Sequence, residues 1–303
     1  MLIPVTEGIT VVAPLNKPRY PYANCMYIEA DRPTVIDMGA GAKAFQEIPC
    51  DRIQLGLITH FHFDHLHGYD LFAGAEVMVS QEEKRTYCDY ESYIDFHGYN
   101  LWDEIMSIPR QAYGQVVPLQ EDVLARPGFR TIPLANTFSD GQKIDLGNME
   151  LTAVHLPGHT IGHYGFYFEK EGILFSGDID LVATGPWYSS NSASVTDLIK
   201  SVRRIKEIDP RIVVPSHRRM QTQNLPKQLD QYIGVVIARN HRLLDILIEP
   251  HTLDQLADYH LIFPDYKNTY ELFWEKMTLR NHLQHLIQQH LVQELPDGIY
   301  QRL

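Results

Sequence analysis

"LITHFHFDHLHGYD", residues 57–70, sets four histidines and two aspartates directly behind an apolar run. A buried strand has no use for so much imidazole, and an ordinary solvated loop is seldom so rich in it. The reading turns on where answering ligands fall along the chain. His60 and His62 are two apart, so in an extended segment their side chains leave on the same face and can meet one ion. Asp64 and His65 follow at the turn into an expected helix and can reach a different point.

Outward from this stretch, short apolar runs alternate with turn residues. "GITVVAP" (8–14), "NCMYIEA" (24–30), "PTVIDMGAG" (33–41), "IQLGLITH" (53–60) and "AEVMVS" (75–80) read as strands closed by Gly, Pro or acidic residues. Residues 149–156, 165–169, 172–178 and 211–217 read the same way. Between the last two, Val195, Leu198, Ile199, Val202 and Ile205 keep a helical spacing, with Ser194 or Thr196 as the N-cap. His159 stands on a Pro-Gly turn, Asp178 follows Gly177 at a strand end, and His217 closes another strand. Metal-capable residues at four separate strand ends are difficult to explain by core packing and are what a metal site requires.

The chain has 303 residues, 44% hydrophobic and 21% charged, enough to bury a sizeable core. A formal net charge of −12 argues against a polyanionic partner, because nucleic-acid binding leans on phosphate neutralisation by Lys and Arg. Cys25, Cys50 and Cys88 form no CxxC pair and read as free thiols in a reducing compartment. The first residues lack a signal-peptide pattern, and no apolar run approaches the roughly 20 residues that span a bilayer. The expectation is a cytoplasmic protein without a membrane partner.

From about residue 226 the texture becomes mostly helical, which divides the chain into 1–225 and 226–303. Two short helices, a longer one and a Pro-Asp-Gly turn between β segments suggest a winged-helix-like module. Residues 225–303 hold seven Lys and Arg against ten Asp and Glu, a poor footprint for reading a DNA groove. A structural or pocket-closing role is expected instead.

The order HxHxDH, then His, then Asp, then His resembles the metallo-β-lactamase superfamily of binuclear metallohydrolases, over residues 8–220. The resemblance implies an α+β fold, an αββα sandwich with a small, mostly helical C-terminal module. It also implies that His60, His62 and His159 bind one metal, that Asp64, His65 and His217 bind the other, and that Asp178 bridges both. Asp64 and Asp178 are then the candidate catalytic carboxylates. "VIDMGAG" looks like the family's early Asp-x-Gly element, making Asp37 a support behind the ligands. His67, His163 and Asp180 stay outside the ligand set. The cofactors implied are two divalent ions, Zn²⁺ first, with Fe and Mn accepting the same donors. Such ions, roughly 3.5–4 Å apart, lower the pKa of a water between them, so that a bridging hydroxide attacks a carbonyl or phosphoryl centre.

For the substrate, residues 87–102 place an aromatic at every third position, Tyr87, Tyr90, Tyr93, Phe96, Tyr99 and Trp102. This slanting stripe either packs against the body, or against a second copy in a homodimer, or forms a lid. The expected division has its N-terminal part packing and the part nearer Trp102 facing the cleft. Tyr93, Trp102, Trp187 and Tyr188 are the candidate substrate-pocket residues. Leu181 stands where a lactonase of the acyl-homoserine type would carry Tyr, and the acidic C-terminus lacks the basic patch of glyoxalase-type thioesterases. What remains is a hydrolase of a small ester, thioester or related carbonyl compound. The alternatives are a metal-dependent nuclease or phosphodiesterase acting on RNA, and a non-catalytic member that binds a small molecule.

Overall fold

Alternation along the strands sets the layers. The computed structural model describes residues 1–118 and 120–303. The first sheet has seven strands in chain order: β1 (Leu2–Thr6), β2 (Ile9–Val12), β3 (Cys25–Ile28), β4 (Thr34–Ile36), β5 (Leu55–Leu57), β6 (Glu76–Ser80) and β7 (Asn136–Phe138). Pairing is antiparallel up to β4 and parallel from β4 to β7. The second sheet holds β8 (Lys143–Asp145), β9 (Glu150–His155), β10 (Tyr164–Phe168), β11 (Ile173–Gly177) and β12 (Ile212–Pro215), in the spatial order β12-β11-β10-β9-β8.

Met26, Ile28, Ile36, Leu55 and Leu57 of the first sheet pack against Leu151, Ala153, Phe166, Phe168, Phe175 and Val214 of the second. The alternate residues Cys25, Val35, Val77 and Val79 face outward, under Ala44, Phe45 and Phe72. On the far side, Val154, Leu156, Leu174 and Val213 lie beneath two helices, Val195–Ile208 and Leu225–Ile246. Strands covered on both faces read as near-continuous apolar runs, which is why β4, β5, β11 and β12 are plain in the sequence. The α+β sandwich is therefore the fold. Ser194 caps its helix as expected, accepting the Asp197 backbone N–H at 3.2 Å. The strands β1, β7 and β8, not read from the sequence, are short and lie at sheet edges.

Residues 87–102 do not form one helix. Gly98 takes a left-handed conformation (φ 71°) and separates the helix Tyr90–Phe96 from Trp102–Ile105.

The C-terminal part contains β13 (His251–Thr252), the helix Leu253–Ala257, the helix Thr269–Gln288, β14 (Val292–Leu295) and β15 (Ile299–Arg302). A capping box between Thr252 and Gln255 starts the shorter helix, and Asn268 caps the longer one. The longer helix is buried on two sides. Leu279, Leu283 and Leu286 pack within the module, while Tyr270, Phe273 and Met277 pack on Trp102, Ile105 and Met106. No helix among the described residues is long and apolar enough to cross a membrane.

Candidate metal centre

The candidate donors are delivered from strand ends that meet at one edge of the sandwich. His60 follows β5, His62 precedes the short helix Phe63–Leu66, and Asp64 and His65 lie within it. His159 sits in the β9–β10 turn, Asp178 directly after β11, and His217 just beyond β12. The helix lies close against the loop after β4, and Gly39 permits this: a Cβ there would stand 1.4 Å from the Asp64 carbonyl oxygen.

His60, His62 and His159 converge. Their facing nitrogens are 2.8 Å (His60 Nε2 to His62 Nδ1), 2.9 Å (His159 Nε2 to His62 Nδ1) and 3.1 Å (His159 Nε2 to His60 Nε2) apart. Burial, and for His60 and His62 the neighbouring imidazoles, hold all three below the usual histidine range, so they are neutral. His159 Nδ1 lies 2.6 Å from the Trp187 carbonyl oxygen and donates to it, which leaves an Nε2 lone pair facing the other two rings. Three neutral nitrogens crowded at one point suit a cation.

Asp64, His65 and His217 form the second group. Asp37, fully buried, accepts from the Thr59 backbone N–H at 2.8 Å and from His65 Nδ1 at 2.7 Å. That fixes the tautomer and turns the His65 Nε2 lone pair toward Asp178 Oδ1, 3.1 Å away. Burial lowers the His65 pKa, but Asp37, Asp178 and Asp64 together raise it to about 10. Burial raises that of Asp178, yet His217, His65, His159 and His60 hold it well below the carboxylate range. Such a pair demands positive charge, as a proton on His65 or as a metal cation.

Asp178 lies between the groups. Its Oδ2 is 3.2 Å from His159 Nε2, and its Oδ1 is 3.3 Å from His217 Nε2. His217 Nε2 is also 3.2 Å from Asp64 Oδ2. The structure thus brings together all seven residues that the sequence nominated as ligands, with Asp37 behind them. The donor set, imidazole and carboxylate, fits a divalent metal.

Two further groups stand behind the donors, and of these only Glu83 escaped the sequence reading. His163, set aside there, accepts the Asp178 backbone N–H on Nε2 at 2.9 Å and donates from Nδ1 to the Leu156 carbonyl. Gly177 (φ 55°) makes room for it, since a Cβ would lie 2.5 Å from that Nε2. Glu83, buried, accepts from the backbone N–H groups of Phe61 (2.7 Å) and Gly162 (2.9 Å) and from the Thr160 hydroxyl. One carboxylate therefore ties the His60–His62 loop to the His159 loop. No sequence signal sets Glu83 apart from Glu82.

A cavity of about 1060 Å³ opens over the cluster, with His62, Asp64, Asp178 and His217 among its lining. Tyr93 and Trp187 line it, as expected; the Trp187 ring centre is 5.2 Å from that of His62. Trp102 and Tyr188 do not. Trp102 is buried, stacked on Phe273 with ring centres 4.6 Å apart, and its Nε1 donates to the Ile108 carbonyl. The C-terminal helix has taken the face that Trp102 was expected to turn to substrate, while Tyr99, three residues earlier, does line the cavity. Tyr188 points opposite to Trp187, into the core, where its hydroxyl meets His282 Nε2 at 2.7 Å. Asn268, Glu271 and Trp274 bring the C-terminal helix region into the cavity wall.

Fold and cluster together define a two-sheet sandwich protein with a His/Asp site for a divalent metal at one edge. The family description "Metallo-beta-lactamase superfamily" matches residues 21–217. A metallo-beta-lactamase family protein of Thermus thermophilus superposes with a TM-score of 0.77 at 23% identity, covering 99% of this chain and all of that one. The acyl-coenzyme A thioesterase MBLAC2 of Gallus gallus is 26% identical over 218 residues, 63% of this chain and 70% of the relative. The beta-lactamase-like protein 2 homolog of Caenorhabditis elegans is 19% identical over 243 residues, 80% of this chain and 68% of the relative. The chain belongs to the metallo-beta-lactamase superfamily, and it is a hydrolase.

Proposed function

We propose that this hydrolase holds two divalent ions, one on His60, His62 and His159 and the other on Asp64, His65 and His217, with Asp178 shared. The observation that carries this reading is the pair of Asp178 oxygens, each turned to a different group of donors. Zn²⁺ is the first expectation from the donor set, and the ions would supply Lewis acidity and an activated water.

The substrate proposed is an ester, thioester or related carbonyl compound. Its hydrolysis joins the water oxygen to the carbonyl carbon, breaks the C–O or C–S bond, and leaves the proton on the departing alcohol or thiol. The chain's part is to seat the carbonyl above His62, Asp64 and Asp178 and to exclude bulk water with Phe61, Tyr93 and Trp187. The name of the Gallus gallus relative supports a thioester in particular.

Elemental analysis of protein reconstituted with Zn²⁺, Mn²⁺ or Fe²⁺ should give close to two ions per chain. A screen of thioesters, esters, lactones, phosphodiesters and RNA should then show turnover of the carbonyl compounds, abolished in a folded Asp178→Ala variant. One ion or none, or activity surviving in that variant, refutes the binuclear reading. Turnover confined to phosphodiesters or RNA moves the protein to the nuclease class.

A further inference from the structure

The cavity carries a charge pattern that carbonyl hydrolysis alone does not call for. Six of the chain's 26 Lys and Arg line it: Lys17, Arg19, Arg126, Arg130, Arg218 and Arg219. Only four of its 38 Asp and Glu do so, namely Asp64, Asp178, Asp180 and Glu271, and the first two belong to the ligand cluster. A chain of net charge −12 thus turns a cationic surface to this one cavity.

Four of the six cations lie on the exposed part of the lining, at its mouth. Lys17, Arg19, Arg126 and Arg219 are exposed, whereas Phe61 is buried and Tyr93, Tyr99 and Trp187 are half-buried between mouth and cluster. Two of the six have partners in the protein. Arg130 pairs with Asp70 at 2.6 Å, and Arg218 donates to Gln228 Oε1 at 2.9 Å. The other four make no ion pair among the described residues. They come from three loops far apart in sequence, before β3, before β7 and after β12, which the fold gathers around one opening. Arg forks match carboxylate and phosphate oxygens, and a mouth of one sign concentrates ligands of the other.

We propose that this mouth binds an anionic group, phosphate or carboxylate, on the leaving half of the substrate, while an apolar acyl half lies along the aromatic walls. This rests on the ester or thioester reading above and narrows it to substrates with a neutral, apolar end and a charged one. Neutral esters and lactones of similar size lack the second anchor.

The test uses three non-hydrolysable thioethers with one alkyl chain: S-octyl-coenzyme A, S-octylglutathione and S-octyl-N-acetylcysteamine. Their heads are phosphate-bearing, carboxylate-bearing and uncharged. Calorimetric titration of the metal-loaded protein should show at least one anionic thioether binding about tenfold or more tightly than the uncharged one, since several weak exposed contacts multiply to that size. The better of the two anionic ligands identifies the head. The gap should close as salt shortens the Debye length from about 10 Å toward 3 Å. The double variant Arg126→Glu, Arg219→Glu should remove the preference and leave binding of the uncharged thioether unchanged, which also shows that the variant is folded. Equal affinity for all three, no binding of any, or equal weakening of all three in the variant overturns the proposal. Turnover of octanoyl-N-acetylcysteamine separates the two readings. Hydrolysis without an anionic preference sinks the mouth alone, and preference without hydrolysis of any thioester sinks the hydrolase reading of the substrate.

Discussion

Glu83→Gln is the sharpest test of how the cluster is held. The Glu83 carboxylate accepts the Phe61 and Gly162 N–H groups and the Thr160 hydroxyl between the two loops that carry His60, His62 and His159. Gln keeps one acceptor oxygen and replaces the other with an NH2 that cannot accept, whereas the hydroxyl oxygen of a protonated carboxyl still can. In either protonation state, therefore, one buried N–H loses its partner, at about 1–3 kcal/mol. A second effect opposes this. Burial raises the Glu83 pKa to about 7, with the three hydrogen bonds pulling the other way. A folded value above the ordinary 4.5 means that the group's stabilising contribution is complete below 4.5 and is lost as pH rises through 7. The shift corresponds to about 3 kcal/mol, which the wild type loses between those limits and the Gln variant does not.

The variant should therefore be less stable than wild type near pH 5, and about equal or more stable near pH 8. Urea denaturation of chelator-treated protein across that range reads the difference directly, free of the stabilisation that bound metal adds. Metal affinity should move differently. Loosening the strap between ligand loops should weaken binding about 10–100-fold even at pH 8, where stability is not reduced, as is typical when the groups behind ligands are changed. A stability gap that stays constant with pH, or unaltered metal affinity, would refute this account of Glu83.

Trp102→Ala should cost about 3–5 kcal/mol of stability in denaturation, since it removes a buried aromatic stacked on Phe273. Tyr93→Ala, on the cavity wall, should instead lower kcat/KM on the substrate found, with metal content unchanged. Gly39→Ala should abolish metal binding or folding in metal titration and circular dichroism, because the added Cβ has no room beside the Asp64 carbonyl. Tyr232→Phe removes the hydroxyl that donates to the Asp178 carbonyl at 2.9 Å, and should cost about 1–3 kcal/mol in chemical denaturation.

The candidate donor set was legible because each member ends an apolar run or follows the turn after one, and the sandwich gathers strand ends at one edge. Asp37 was legible from the Asp-x-Gly element, although Gly39 does more than turn the chain: its missing Cβ admits the Asp64 backbone. Glu83 was not legible, because its partners Thr160 and Gly162 lie nearly eighty residues away and only tertiary approach makes it a strap. Trp102 misled for a physical reason. A three-residue period implies one continuous face, but the left-handed Gly98 turns the chain, so that Tyr99 stays in the cavity wall while Tyr270 and Phe273 cover Trp102. Trp187 and Tyr188 are adjacent and point apart, one to the cavity and one to the core, and composition alone does not say which does which.

The acidic C-terminal segment makes sense through packing rather than charge. The division at residue 225 falls where the helix Leu225–Ile246 begins, yet Leu229, Tyr232 and Val236 of that helix complete the core behind the second sheet. Tyr232 also holds the Asp178 backbone from behind. The helix Thr269–Gln288 then presses on the 187–190 loop, where Thr278 bonds Ser189 and Asn281 bonds the Tyr188 carbonyl. That loop supplies both the Trp187 wall and the carbonyl that orients His159. A change in the C-terminal helices can therefore reach the cluster through two routes, the Tyr232 bond and the Trp187 loop. Apart from Asn268, Glu271 and Trp274 in the cavity wall, the module acts on the site through its buried face, which leaves its outer surface free to be acidic.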